Sequence, residues 1–140
     1  MPAATRGPVT PDRTHTLDAP YRPGGWTVRQ LVHHVADSHA NFGIRLRLAL
    51  TEDDPVIRPY DQDAWSRLAD SRTLDVAPSL AIVAGVHARA VALLRTLAPS
   101  DFARPLRHPE TGPMTVDQLV ALYAWHGDHH VAHIERARAR

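Results

Sequence analysis

Trp125-His126-Gly127-Asp128-His129-His130-Val131-Ala132-His133-Ile134 packs four histidines into ten residues near the C-terminus. Around it Val116, Leu119, Val120, Tyr123, His126, Gly127, His130, Ile134 and Ala137 recur at helical spacing, so this stretch predicts one helix whose apolar stripe is interrupted by imidazoles. Thr115-Val116-Asp117-Gln118 has the form of a capping box and marks its start. Imidazoles buried beside Leu119, Val120 and Tyr123 are costly without partners, which calls for a metal or a hydrogen-bond network. His126 and His130, four residues apart, project from one face about a turn apart and can grip one cation. A third ligand must come from elsewhere in the fold.

The upstream run Leu31-Val32-His33-His34-Val35-Ala36-Asp37-Ser38-His39 can supply it. A second capping box, Thr27-Val28-Arg29-Gln30, opens a helix in which Val28, Val32, Val35, His39, Phe42, Leu46 and Ala49 form a stripe ending near Leu50, before Asp53-Asp54-Pro55. On that wheel His33 points away from the stripe, His34 lies on its flank and His39 falls within it. Geometry disfavours only His33 and leaves His34 and His39 open. Three neutral nitrogen ligands would leave a fourth position for water or substrate, the mark of a catalytic rather than a structural site.

The rest of the chain gives the setting. At 140 residues and 44% hydrophobic, it suits one folded domain, read as 26–140, preceded by a proline-rich irregular arm at 1–25. Net charge is +1 and every basic residue is an arginine, scattered along the chain, so neither nucleic acid nor anionic membrane is an expected partner. Cysteine is absent, which removes thiolate ligands, disulfides and a cysteine nucleophile. With no signal peptide and no apolar run of membrane length read from the sequence, the expected location is the cytoplasm. A third helix is predicted from about Pro78 to Leu97. Pro55 to Tyr60 should be extended, Asp61 should cap a short helix through Trp65 and Leu68, and a hairpin is expected around Thr111-Gly112.

Pro20-Tyr21-Arg22-Pro23-Gly24-Gly25-Trp26 leading through His33-His34 to His39, then Ile57-Arg58-Pro59-Tyr60-Asp61, then Leu122 through Ile134, agree in order and spacing with one family. Over roughly residues 20 to 137 the chain resembles the YfiT branch of the DinB-like proteins. The resemblance implies an all-α fold, an antiparallel four-helix bundle holding one divalent metal, zinc foremost or nickel. It places the three ligands on His34, His126 and His130, and so chooses His34 where the wheel does not. It also implies a homodimer and a metal-dependent hydrolase acting on a small molecule. A transferase of low-molecular-weight thiols, such as bacillithiol or mycothiol, is the alternative. One departure stands out: the first helix of the relatives has a proline-rich stub in its place here.

Supporting roles follow. His133, three residues past His130, can orient a ligand, bond substrate or shuttle a proton, and Asp37 can accept from an imidazole or act as base. Asp128 reads as an exposed helical aspartate. Arg58 suits a substrate carboxylate, or else a bridge to a nearby aspartate. His39 and His87 read as polar residues packed between helices, His33 and His129 as outward or supporting groups, His15 and His108 as solvated. Trp26, Trp65 and Trp125 read as core or groove aromatics. Outside enzymology, the same features fit a helical interaction module whose histidines bind metal for folding alone, or sense pH.

Overall fold

Both capping boxes form. In a computed structural model describing residues 16–139, the Gln30 amide donates to Thr27 Oγ1 at 3.2 Å while the Thr27 amide donates to Gln30 Oε1 at 3.0 Å, opening helix α1 (Val28–Thr51). Thr115 and Gln118 make the same reciprocal pair at the head of the last helix, α6 (Val116–Arg138). Removing the Thr27 hydroxyl leaves a helix-end amide without its acceptor, so Thr27→Ala should cost about 1 kcal/mol, or roughly 3–5 °C in Tm, with Thr27→Ser near wild type in thermal denaturation.

Between these helices lie α2 (Gln62–Ser66), α3 (Ala69–Thr73), α4 (Ala77–Leu94) and α5 (Pro99–Phe102), then strands β1 (Pro105–His108) and β2 (Gly112–Thr115). The strands pair antiparallel from Pro105 opposite Thr115 to His108 opposite Gly112, the hairpin expected there, and Gly112 takes φ +88° at the turn. Asp61 caps α2 by accepting from the Ala64 amide, but that helix ends at Ser66 instead of reaching Leu68. Pro55 to Pro59 is extended, and the Ile57 amide donates to the Arg107 carbonyl, docking the segment on β1. α4 stops at Leu94, a turn short of the expected Leu97.

The principal core joins the second half of α1 (Phe42, Leu46, Ala49) to the first half of α6 (Val116, Leu119, Tyr123), closed by Ile57, Ala90 and Leu106. Late α1 thus meets early α6, and the two run antiparallel. α4 instead runs along α1 in the same direction, touching it at Ser79 against His33 and at His87 against His39. A bundle tolerates a parallel pair when a long crossover carries the chain back, which is what residues 52–76 do. Residues 1–15, fifteen of the twenty-five in the expected proline-rich arm that stands in place of the relatives' first helix, lie outside the described residues.

α4 corrects one expectation. Its 18 residues have a mean hydropathy of 1.6, long and apolar enough by length and composition to cross a membrane. Here it packs along α1 and leaves an apolar groove of about 530 Å³ facing α6, lined by Val35, Leu80, Val83, Val91, Val120 and Val131 among others.

Candidate metal centre

Antiparallel packing of α1 on α6 brings His34 to the level of His126 and His130. His126 Nε2 lies 3.1 Å from His34 Nε2 and 3.1 Å from His130 Nε2. Protons alone cannot satisfy this trio. A neutral imidazole has one N–H and one lone pair, so His126 Nε2 can make a good hydrogen bond to one neighbour and not both. A cation would be met by all three lone pairs. Zinc–nitrogen bonds of about 2.05 Å at tetrahedral angles set neighbouring nitrogens about 3.3 Å apart, close to the spacing seen.

Burial suits these rings to that role by keeping them neutral. Desolvation foremost, then His126 and His39, pulls His34 down to about 4, and desolvation with the neighbouring imidazoles pulls His130 down to about 3. His126 is lowered by desolvation and by His129.

The surrounding contacts set the tautomers consistently. With its Nε2 lone pair turned to the centre, His126 carries its proton on Nδ1 and donates to His39 Nε2 at 3.3 Å. His39 then donates from Nδ1 to His87 Nε2 at 2.6 Å. On the other side, His130 donates from Nδ1 to His133 Nδ1 at 3.3 Å. Groups accepting from the far nitrogen of a metal-ligating histidine fix its ring and raise its basicity. His39 is buried at the helix interface expected for it, whereas His87 is exposed on α4 and meets His39 from outside; both reach the centre through His126.

His133 sits at the site, its ring stacked 4.3 Å from that of Tyr21, and its imidazole is lowered by desolvation, His129, Arg136 and Arg22. A second group, His129, His130 and His133, also has ring nitrogens within 4.8 Å of one another and shares His130 with the first.

Asp37 is not brought in. Three residues beyond His34 the helix has turned about 60° short of a full circle. Among the described residues, no hydrogen bond joins its carboxyl to the three imidazoles; burial and then Asp70 raise its pKa. Arg58 is exposed, its carbonyl accepts from Arg45, and it is absent from the cavity beside His130. His33 corrects the outward reading: it is 5% exposed, with Nδ1 2.6 Å from Ser79 Oγ and Nε2 3.0 Å from the Leu74 carbonyl. The turn between α3 and α4 covers a helix face that the wheel assigns to solvent. Trp26 lies 4.8 Å from the His34 ring, while Trp125 is 58% exposed and stacks on His129.

A cavity of about 310 Å³ opens beside the imidazoles, lined by Tyr21, Arg22, Trp26, Gln62, Asp63, His130 and His133 among others. Arg22 and Tyr21 are site residues that helical periodicity could not find. The sequence signals there were the Gly24-Gly25 pair and the Pro20-to-Trp26 motif that carries the family resemblance.

A helical bundle that gathers three neutral imidazoles beside a small polar cavity defines the class. The chain belongs to the DinB superfamily, whose profile matches residues 9–134. It is 50% identical over 141 residues to a Bacillus subtilis protein named "Putative metal-dependent hydrolase YfiT", covering 100% of this chain and 79% of that one. An Oceanobacillus iheyensis protein, named "Putative metal-dependent hydrolase OB0782", is 46% identical over 134 residues, 96% of this chain and 77% of its own. The solved structure of Bacillus subtilis YfiT, described as having an unusual four-helix bundle topology, superposes with a TM-score of 0.88 at 52% identity, covering 91% of this chain and 74% of that one.

Proposed function

We propose that the protein is a metal-dependent hydrolase of small molecules, with one divalent ion, Zn²⁺ foremost or Ni²⁺, held by His34, His126 and His130. The observation that carries this reading is His126 Nε2 lying 3.1 Å from both His34 Nε2 and His130 Nε2, with the three ligand atoms within 4.8 Å of one another on desolvated, neutral rings beside an open cavity. When bound, such an ion lowers the pKa of coordinated water toward about 7 and polarises the bond under attack. The chain's own residues do the rest. His39 and His133 accept from His126 and His130 and hold those rings in register. His133, at the cavity wall with its Nε2 edge free of protein partners among the described residues, moves protons to and from the substrate. A cytoplasmic setting and a homodimer belong to the same reading, and light scattering on the purified chain tests the dimer.

The test is hydrolysis of a 4-nitrophenyl ester by protein loaded with one equivalent of zinc. Cleavage about a hundredfold above chelator-treated protein, without added thiol, is the expected result. Metal-dependent consumption of a small thiol by an electrophile, with no ester cleavage, would replace hydrolysis by thiol transfer. A chain that unfolds on chelation and never cleaves would leave only a metal-folded module.

A further inference from the structure

The segment from Pro20 to Thr27 is a closed loop. Pro20 and Thr27 form a β-bridge, the Tyr21 amide donates to the Trp26 carbonyl at 3.2 Å, and the Gly25 amide donates to the Arg22 carbonyl at 2.9 Å. Gly24 takes φ +72°, which an L side chain resists. At Gly25 a Cβ would lie 2.7 Å from Arg22 Cγ and 2.8 Å from Tyr21 Cε1. One glycine makes the turn and the other leaves room for two side chains. Those side chains stand on the wall of the cavity shared with His130 and His133.

Arg22 is solvent-exposed on that wall and makes one side-chain hydrogen bond. Its Nε donates to the Tyr21 hydroxyl at 2.8 Å, and the Tyr21 ring stacks on His133. The pair of terminal nitrogens has no protein acceptor among the described residues, and neither ion pair found among them includes Arg22. A guanidinium with its terminal fork unused presents two parallel N–H donors, the geometry that carboxylates accept. The cavity, about 310 Å³, is at the small end of ligand sites.

We propose that Arg22 is the specificity determinant of this site: it binds a carboxylate at one end of the substrate while the reacting end lies at the three imidazoles. The substrate class is then small esters or amides bearing a second, anionic terminus. This inference rests on the metal-dependent reading above, and it moves the carboxylate contact from Arg58 to the loop that the two glycines shape.

The test compares two ligands of the same chain length, succinate and butyrate, titrated calorimetrically into the zinc-loaded full chain. Both offer one carboxylate to the ion; butyrate ends in a methyl group, so only succinate offers a second carboxylate to Arg22. Wild type should bind succinate about tenfold more tightly than butyrate, as a charge-assisted fork implies. Arg22→Gln should bring the two within about the twofold statistical factor of succinate's equivalent ends by weakening succinate, and Arg22→Lys should fall between, keeping charge without the fork. A wild-type ratio near that statistical factor, or a ratio untouched by Arg22→Gln, overturns the role of Arg22 while retained zinc leaves the metal reading standing. A chain that retains no zinc overturns both.

Discussion

His130→Ala should abolish stoichiometric metal binding while the chain stays helical. Structural zinc sites contribute about 10–16 kcal/mol in total, so one ligand of four accounts for about 2.5–4 kcal/mol, a loss of roughly 70-fold to 900-fold in affinity. Of the three proposed ligands His130 should show this most cleanly. Its Nε2 faces His126 and its Nδ1 faces His133, so truncation removes one corner of the centre and the bond that orients it. Alanine is at home in the middle of α6, so loss of metal need not mean loss of helix. His34→Ala should behave alike. His129→Ala is the control, because that ring lies outside the 3.1 Å trio and its loss should leave one zinc per chain. Equilibrium dialysis against buffered zinc with elemental analysis, alongside far-ultraviolet circular dichroism, measures both properties. Zinc retained at wild-type affinity by His130→Ala would remove the centre from the proposal.

The elements were legible wherever local chemistry decides them. Thr27 with Gln30 and Thr115 with Gln118 announced two helix starts, prolines announced the extended segment, and Thr111-Gly112 announced the hairpin, since each rests on contacts within a few residues. What depends on a distant partner was not legible from periodicity. One helical wheel could not choose between His34 and His39, because both are buried and the register of α6 alone decides which meets the trio and which backs His126. The family resemblance made that choice. His33 escaped for the same reason: Ser79 and the Leu74 carbonyl, more than forty residues away, turn a solvent face into a buried one. The parallel course of α4 depends on the length and path of residues 52–76, to which the periodicity of α4 itself is blind. Arg22 lies in a loop, where periodicity says nothing; the family motif marked the loop, and the paired glycines show that its side chains need the space.

Metal-free protein should lose stability steadily as pH falls below about 6.5. His34 and His39 are depressed to about 4 and His130 to about 3, chiefly by burial, whereas the unfolded chain titrates its histidines near the ordinary value of 6.5. A base whose folded pKa is depressed is held neutral by the fold. Its contribution is therefore complete above the unfolded pKa and is lost as pH drops toward the folded one, because the unfolded state binds protons first. At pH 5 these three groups make unfolding take up about two to three protons, a slope that urea titrations across pH 7 to 4.5 resolve. His126 and His133, also lowered, act in the same direction. Asp37 acts oppositely, since burial raises its carboxyl and the folded chain gains that proton early, but one carboxyl opposes five imidazoles. Zinc should steepen the fall, because acid strips the ion from the folded site in the same range. His130→Ala should take about one proton from the metal-free slope, which ties the acid sensitivity to the trio and not to the net charge of the chain. Metal-free stability that stays level from pH 7 to 5 would mean that these imidazoles are as solvated folded as unfolded, a condition incompatible with three rings buried around one point.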